Sequence, residues 1–503
     1  MSESIVKDQL LKGTIILTAA GIVTRLIGFG YRIFLAGELG EVNLGVYQLV
    51  FPVYSICFTI YAAGIQTGVS QLISHQPEKK HGQILKAGLF LSLIFSLTLS
   101  FLVYSFRTEI ATSFLGTEQT APLLLILSVI FPFCGITSLI NGYFYGINQA
   151  SIPAVTQILE QLFRVGFVFV LCQYRVIPLS SLQLAVAGLV AGELVSVLYN
   201  ISKLRHQISI PKMLVSHAQF KNVLRISLPL SGTKLIVALL GSVESVLIPP
   251  ILCQYGYSIE DALALYGILT GVVLPFILFP GTITNSMSVL LLPAISRASG
   301  TNQNGHVRYT SSVTVRYSLL LGVLTCAIFL NFGTDIGLHI FHSGNAGKLL
   351  TLLSFLCPFL YVTTTLGSII NGLGKTGVTF SITILGLVIR ITGLFLLVPV
   401  YGIFGYLFSL LCSQITICLL HGIYLMKKQK IPCNLIKYLV WPFIFSASLL
   451  FIAKRFGFWL ADMLEIRFLS FGIAIPALLI IVFYFYRAGL ISIRDIRIPY
   501  SRQ

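Results

Sequence analysis

Charge is what this chain has least of. Of its 503 residues only 10% are charged, with 16 Asp and Glu against 33 Lys and Arg, where a soluble domain carries about 25%. That shortage excludes an ordinary soluble protein. Catalytic signatures are missing too: the sequence holds no HExxH, no P-loop and no Ser/His/Asp set. Nine cysteines form no CxxC pair, and the closest two, Cys412 and Cys418, have no histidine at ligand spacing. They read as small buried hydrophobes rather than metal ligands or disulfides. The histidines noted sit in loops (His75, His81, His206, His217, His306) or near the outer edge (His339, His342). An enzyme acting on lipid would want acids or histidines clustered in a loop, and these short loops offer none. The reading is a non-enzyme with no cofactor and no metal.

What the chain has in abundance is apolar residues, 56% of the total, gathered into runs of about twenty that suit membrane-crossing helices. Fourteen spans are predicted, at 13–36, 44–70, 83–105, 121–147, 153–172, 182–202, 223–251, 262–292, 311–331, 349–371, 376–398, 402–425, 437–454 and 468–487. The fold class is therefore an all-α polytopic membrane protein. The opening "MSESIVKDQLLKG" is charged and leads straight into a full-length span, which reads as no cleavable signal peptide.

The formal net charge of +17 invites a nucleic-acid reading, but its placement argues otherwise. With the N-terminus inside, the even-numbered loops and both termini carry 21 Lys and Arg, in clusters such as Lys79, Lys80 and Lys86, while the opposite face carries six. That asymmetry retains cations in the cytoplasm and sets orientation. Both termini are expected to be cytoplasmic, in a multi-pass protein of the cell membrane. The expected partners are membrane lipids, and no nucleic acid.

The spans repeat. "SLINGYFYGINQASIPAVTQILEQLFRV" (138–165) and "GSIINGLGKTGVTFSITILGLVIRI" (367–391) each place Asn-Gly at the cytoplasmic end of one helix and an Arg deep in the next. Asn141 thus matches Asn371, and Arg164 matches Arg390. Pro52–Ser74 and Pro275–Ser296 give a second echo. Equivalents lie six helices apart, an even number, so the halves share one orientation as parallel repeats. The expected domains are an N-lobe over 1–204, a linker over 205–222 with amphipathic character, a C-lobe over 223–426, and two further helices with a basic tail over 427–503.

Nine ionisable residues, histidine excluded, fall at membrane depth: Arg25, Arg32, Glu160, Arg164, Glu193, Lys234, Glu244, Arg316 and Arg390. Each costs about 2.5–3.5 kcal/mol at a helix centre, so such groups face a bundle interior or water. Six are cations and three are anions, which points to a hydrated cationic chamber between the lobes and an anionic substrate. Arg25 and Arg32, in "VTRLIGFGYRIF", lie seven residues apart on nearly one helix face, with Gly28 and Gly30 between them thinning the helix. The alternative for this pair is that Arg32 snorkels outward while Arg25 pairs with Glu244 or Glu160. Gln157, Glu160, Gln161 and Arg164 form a polar stripe on the fifth span, in which Glu160 and Arg164 can neutralise each other. Lys234 and Arg390 complete the candidate substrate-binding set. Glu160, Glu193 and Glu244 are candidate ion-coupling residues, and the sequence does not choose among them. Arg316, near a helix end, is expected to snorkel.

The stretches "LLKGTIILTAAGIVTRLIGFGYRIFLAGELG", "GVYQLVFPVYSICFTIYAAGIQTGVSQLIS" and "NGYFYGINQASIPAVTQILEQLFRV" resemble the stage V sporulation protein B branch of the multidrug/oligosaccharidyl-lipid/polysaccharide exporter superfamily. The resemblance runs over the first twelve spans and is densest in the first 165 residues. It implies a V-shaped, fourteen-helix flippase that carries a polyprenyl-pyrophosphate-linked sugar, a lipid II-like wall or polysaccharide precursor, from the inner to the outer leaflet. Cell-wall synthesis enzymes would be its neighbours. In the related lipid II flippases, first-helix arginines hold the pyrophosphate, and these map onto Arg25 and Arg32. The second arginine there comes one residue sooner, where this chain has Tyr31, and their basic residues in the second and eighth spans are absent here. The alternatives are a cation-coupled multidrug exporter, which would want an acidic chamber, and a non-transporting scaffold for wall or spore-cortex synthesis, which leaves the cation surplus unexplained.

Overall fold

The computed structural model describes residues 3–175, 178–207, 217–286, 295, 304–429, 436–464 and 469–491. The middle of the expected linker, the end of the eighth span beyond 286, and the basic tail beyond 491 lie outside the described residues. Among those described there is no strand. Eleven helices among the described residues are long and apolar enough to cross a membrane, or twelve with one bent pair counted as a single span. The first of these segments is 60 residues long and breaks once, so it carries two of the expected spans. A shorter apolar helix, Gly472–Arg487, ends the series. The architecture is that of about fourteen spans, arranged in two compact units, 1–271 and 272–503.

In the first unit, α1 (Glu3–Phe58) breaks at Gly40, whose φ of 72° is left-handed and natural to glycine alone. Two spans therefore join with no loop between them. A π-helical turn at Thr59–Ala63 leads into α2 (Gly64–His75). There follow α3 (His81–Ser105), α4 (Ala121–Gly146), α5 (Ser151–Tyr174), α6 (Ser181–Gln207), α7 (His217–Tyr255) and α8 (Ile259–Gly267). A second π-helical stretch, Ile268–Val273, closes the series.

Small residues set the helix crossings. Between helices in lipid there is no hydrophobic driving force, so close backbone approach and hydrogen bonds carry association. A Cβ on Gly45 of α1 would stand 2.1 Å from the Leu263 carbonyl of α8, and one on Gly267 would stand 2.3 Å from Gly45 N. On α6, Gly188 and Gly192 form a G-x-x-x-G edge against α5, where a Gly192 Cβ would lie 2.7 Å from the Glu160 carbonyl. Asn141, expected as a landmark, is joined to this pair of helices by hydrogen bonds. Asn200 Nδ2 donates to Asn141 Oδ1 (3.2 Å), and the Thr156 hydroxyl donates to Asn200 Oδ1 (2.8 Å).

The second unit contains α9 (Asn304–Ile340), α10 (Gly344–Leu353), α11 (Leu356–Gly372), α12 (Thr376–Tyr401), α13 (Ile403–Gln429), α14 (Trp441–Leu464) and α15 (Leu469–Arg487). Helices α10 and α11 are bent by 57°. Arg316 lies over the rings of Tyr317 and Tyr438. Lys454, one of the six cations counted on the outer face and the last residue of the thirteenth predicted span, sits within α14. Its ammonium is 2.5 Å from Asp335 of α9 and donates to the Asn331 carbonyl (2.6 Å). The apolar run was cut short at a charge whose partner comes from another helix. Lys454→Met is expected to lower stability by about 2 kcal/mol, less than the 3–5 kcal/mol of a fully buried pair, because the side chains remain 21% and 15% exposed. Adding Asp335→Asn should recover most of the loss in thermal unfolding of the detergent-solubilised protein.

Candidate anion-binding site

The sequence expects a polar stripe on α5, and the first unit has one packed beside α1 and α6. Gln157 is exposed near the start of α5. Gln161 reaches α1 at Gly28, where a Cβ would meet its amide at 3.3 Å. Arg164 forms an ion pair with Glu160 one turn earlier, the two side chains 21% and 26% exposed. This is the neutralisation that the i,i+4 spacing allows, and it makes Arg164 the partner of Glu160, a role also considered for Arg25. Glu160 and Arg164 can approach α6 because Gly192 offers no side chain there.

Next to Gly192 stands Glu193. It is 6% exposed and its Oε1 has no hydrogen-bond partner. Its electrostatic neighbours are Glu160 and Arg164 of α5, Cys134 and Thr137 of α4, and Tyr54 and Tyr61. The Tyr61 hydroxyl and Thr137 Oγ1 are likewise buried without partners. Two carboxyl groups and one guanidinium are thus electrostatic neighbours, with buried hydroxyl groups around Glu193.

Two of the candidate cations serve the backbone. Arg32 donates to the Gly271 carbonyl (2.9 Å), inside the π-helical stretch 268–273, and its electrostatic neighbours are Tyr47 and Arg164. Lys234 donates to the Ala63 carbonyl (2.7 Å) and to the Thr67 hydroxyl (2.9 Å), at the other π-helical turn. A π-bulge breaks the regular ladder, and in lipid a loosened carbonyl needs a donor. Both cations therefore have a structural reason to be at depth, with further N–H groups left to each.

The structure thus gathers Arg32, Glu160, Arg164 and Glu193 in one neighbourhood. Arg25 lies on α1 seven residues before Arg32, its side chain exposed. Glu244 of α7 is 4% exposed, with Tyr266 as a neighbour. Arg390 belongs to α12 in the second unit and is half-buried.

Sequence reasoning overlooked the tyrosines and one histidine. Tyr47, Tyr54 and Tyr61 recur every seven residues, a spacing that sets three hydroxyls on one side of a helix. His421, on α13, is 2% exposed and both ring nitrogens lack partners. A Cβ on Gly367 would meet His421 at 3.8 Å and Thr379 at 3.7 Å. No group of three or more His, Cys, Asp or Glu among the described residues is placed to hold a metal.

Comparison with known proteins gives this arrangement a family. The chain is 28% identical to stage V sporulation protein B of Bacillus subtilis (strain 168) over 449 residues, 86% of each chain. It is 26% identical to the lipid II flippase MurJ of the same organism over 172 residues, 32% of each. The fold matches a lipid II flippase MurJ solved in an inward closed conformation, with TM-score 0.72 and 17% identity over 95% of this chain and all of that one. It also matches an inward-facing multidrug resistance MATE family transporter, with TM-score 0.64 and 16% identity over 83% of this chain and 98% of the other. Residues 10–299 match the family described as polysaccharide biosynthesis protein. A chain with this helical framework and with that match over more than half its length belongs to the polysaccharide biosynthesis protein family, whose fold here is that of the flippases and exporters of the multidrug/oligosaccharidyl-lipid/polysaccharide superfamily.

Proposed function

We propose that the protein moves an anionic lipid-linked sugar, held through a polyprenyl pyrophosphate, from the inner to the outer leaflet of the cell membrane by alternating access. The observation that supports this most is the guanidinium of Arg164. It sits at membrane depth beside Arg32, and its ion-pair partner Glu160 can be exchanged for a phosphate. Guanidinium groups bind phosphate oxygens bidentately. Arg25 extends the cationic surface along α1, with Gln157, Lys234 and Arg390 as further contacts to phosphate or sugar. Glu160, Glu193 and Glu244 are the acids available for ion coupling. Both termini are cytoplasmic in this reading, and the inside-negative potential favours outward movement of an anion by about 2.3 kcal/mol per charge per 100 mV.

An exporter of cationic drugs would need an excess of acid at depth, where this chain has six cations to three anions. Binding of defined lipid-linked sugars to the purified protein tests the reading. Polyprenyl-pyrophosphate sugars should compete with one another for the protein, and a lipid-linked sugar without phosphate should not. Equal binding of both classes would reject the role assigned to the arginines.

A further inference from the structure

The charges around Arg164 come from α1, α5 and α6. Arg32 and Arg164 bring two positive charges, and Glu160 and Glu193 bring two negative charges when both are ionised. The set is then neutral and has no electrostatic preference for a phosphate. One proton on the acids leaves a net charge of +1.

The geometry says where that proton belongs. Glu160 already has the Arg164 guanidinium. Glu193 is 6% exposed, with Oε1 unpartnered, and a second carboxyl, that of Glu160, is among its electrostatic neighbours. Like charges in a low-dielectric site oppose each other's ionisation. The groups facing Glu193 are Cys134 and Thr137 from α4, Glu160 and Arg164 from α5, Tyr54 from α1, and Tyr61 from the π-helical turn. Arg164 is the one cation among them, and Glu160 holds it.

We propose that Glu193 and Glu160 together hold one exchangeable proton, and that this proton decides whether Arg164 is free to leave Glu160 for a phosphate. With the proton on Glu193, that carboxyl can donate a hydrogen bond to Glu160 and stand in for the guanidinium when Arg164 swings to its ligand. Without it, Glu160 keeps Arg164. Proton uptake and anion binding then favour each other, and the coupling is reciprocal. The inference rests on the anion-transport reading and assigns its ion-coupling step to one carboxyl pair.

Two measurements on the full-length protein in lipid nanodiscs decide it. The first needs no ligand. Infrared spectra at neutral pH should show a protonated carboxyl band that Glu193→Gln removes, with size-exclusion elution confirming that the variant is folded. A spectrum unchanged by the substitution would overturn the proposal, whatever the protein transports. The second is calorimetric titration with farnesyl pyrophosphate in two buffers of different protonation enthalpy, at a pH high enough to have titrated that band away. The wild type should take up about one proton more per bound probe than Glu193→Gln. Equal uptake by the two would overturn the coupling and leave the anion reading intact. A probe that does not bind at all would count against the anion reading, and the infrared result would still judge the proton site.

Discussion

Arg164→Gln lowers stability by about 2 kcal/mol and stops transport of a pyrophosphate-linked lipid, and the two losses can be separated. Removing one ion of a fully buried pair costs about 3–5 kcal/mol because the other is left uncompensated. Here the side chains are 21% and 26% exposed, so hydration lowers the figure. The variant leaves Glu160 and Glu193 side by side with no paired guanidinium. Adding Glu160→Gln removes the stranded charge and should restore most of the thermal stability. Transport should stay absent in the double variant, because the proposed phosphate ligand is still missing. If transport returns with stability, Arg164 is a structural partner of Glu160 and nothing more.

Gly267→Leu should be as damaging for a different reason. A Cβ at this position would lie 2.3 Å from Gly45 N and 2.7 Å from the Glu41 carbonyl. Both obstacles are backbone, so no side chain can turn aside and α8 must move off α1. Overpacking costs about 1–3 kcal/mol, and a backbone clash belongs at the upper end. Gly232→Ala, where nothing lies within 4 Å of the new Cβ, should stay close to wild type. Thermal unfolding and the yield of monodisperse protein compare the two.

These results also mark what a sequence can reveal of such a molecule. Span positions were legible because in lipid the helix must satisfy its own backbone, so apolar length alone marks a crossing. The Glu160–Arg164 pair was legible because i,i+4 geometry is local. Contacts that cross between helices were not. Nothing in the residues around Gly267 says that Gly45 lies against it. Arg32 and Lys234 read as substrate-binding candidates and not as backbone donors, since the carbonyls that hold them, Gly271 and Ala63, belong to π-helical turns that leave no mark in composition. The thirteenth predicted span stops at Lys454 for the same reason, its counter-ion Asp335 being 119 positions away in the chain. The repeat landmarks show how far pattern goes. Asn141 and Asn371 match in sequence, yet Asn141 is bonded to Asn200 while Oδ1 of Asn371 is buried without a partner.

The central claim is that cations fixed at membrane depth carry a lipid-borne phosphate across. Proteoliposomes loaded with a fluorescent polyprenyl-pyrophosphate sugar, and in parallel with the same sugar on an uncharged lipid, test it directly. The wild type should expose the phosphorylated lipid to an outer-leaflet quencher, the Arg164→Gln/Glu160→Gln protein should not, and the uncharged lipid should stay protected in both. Equal movement of the two lipids, or undiminished movement by the double variant, would contradict it.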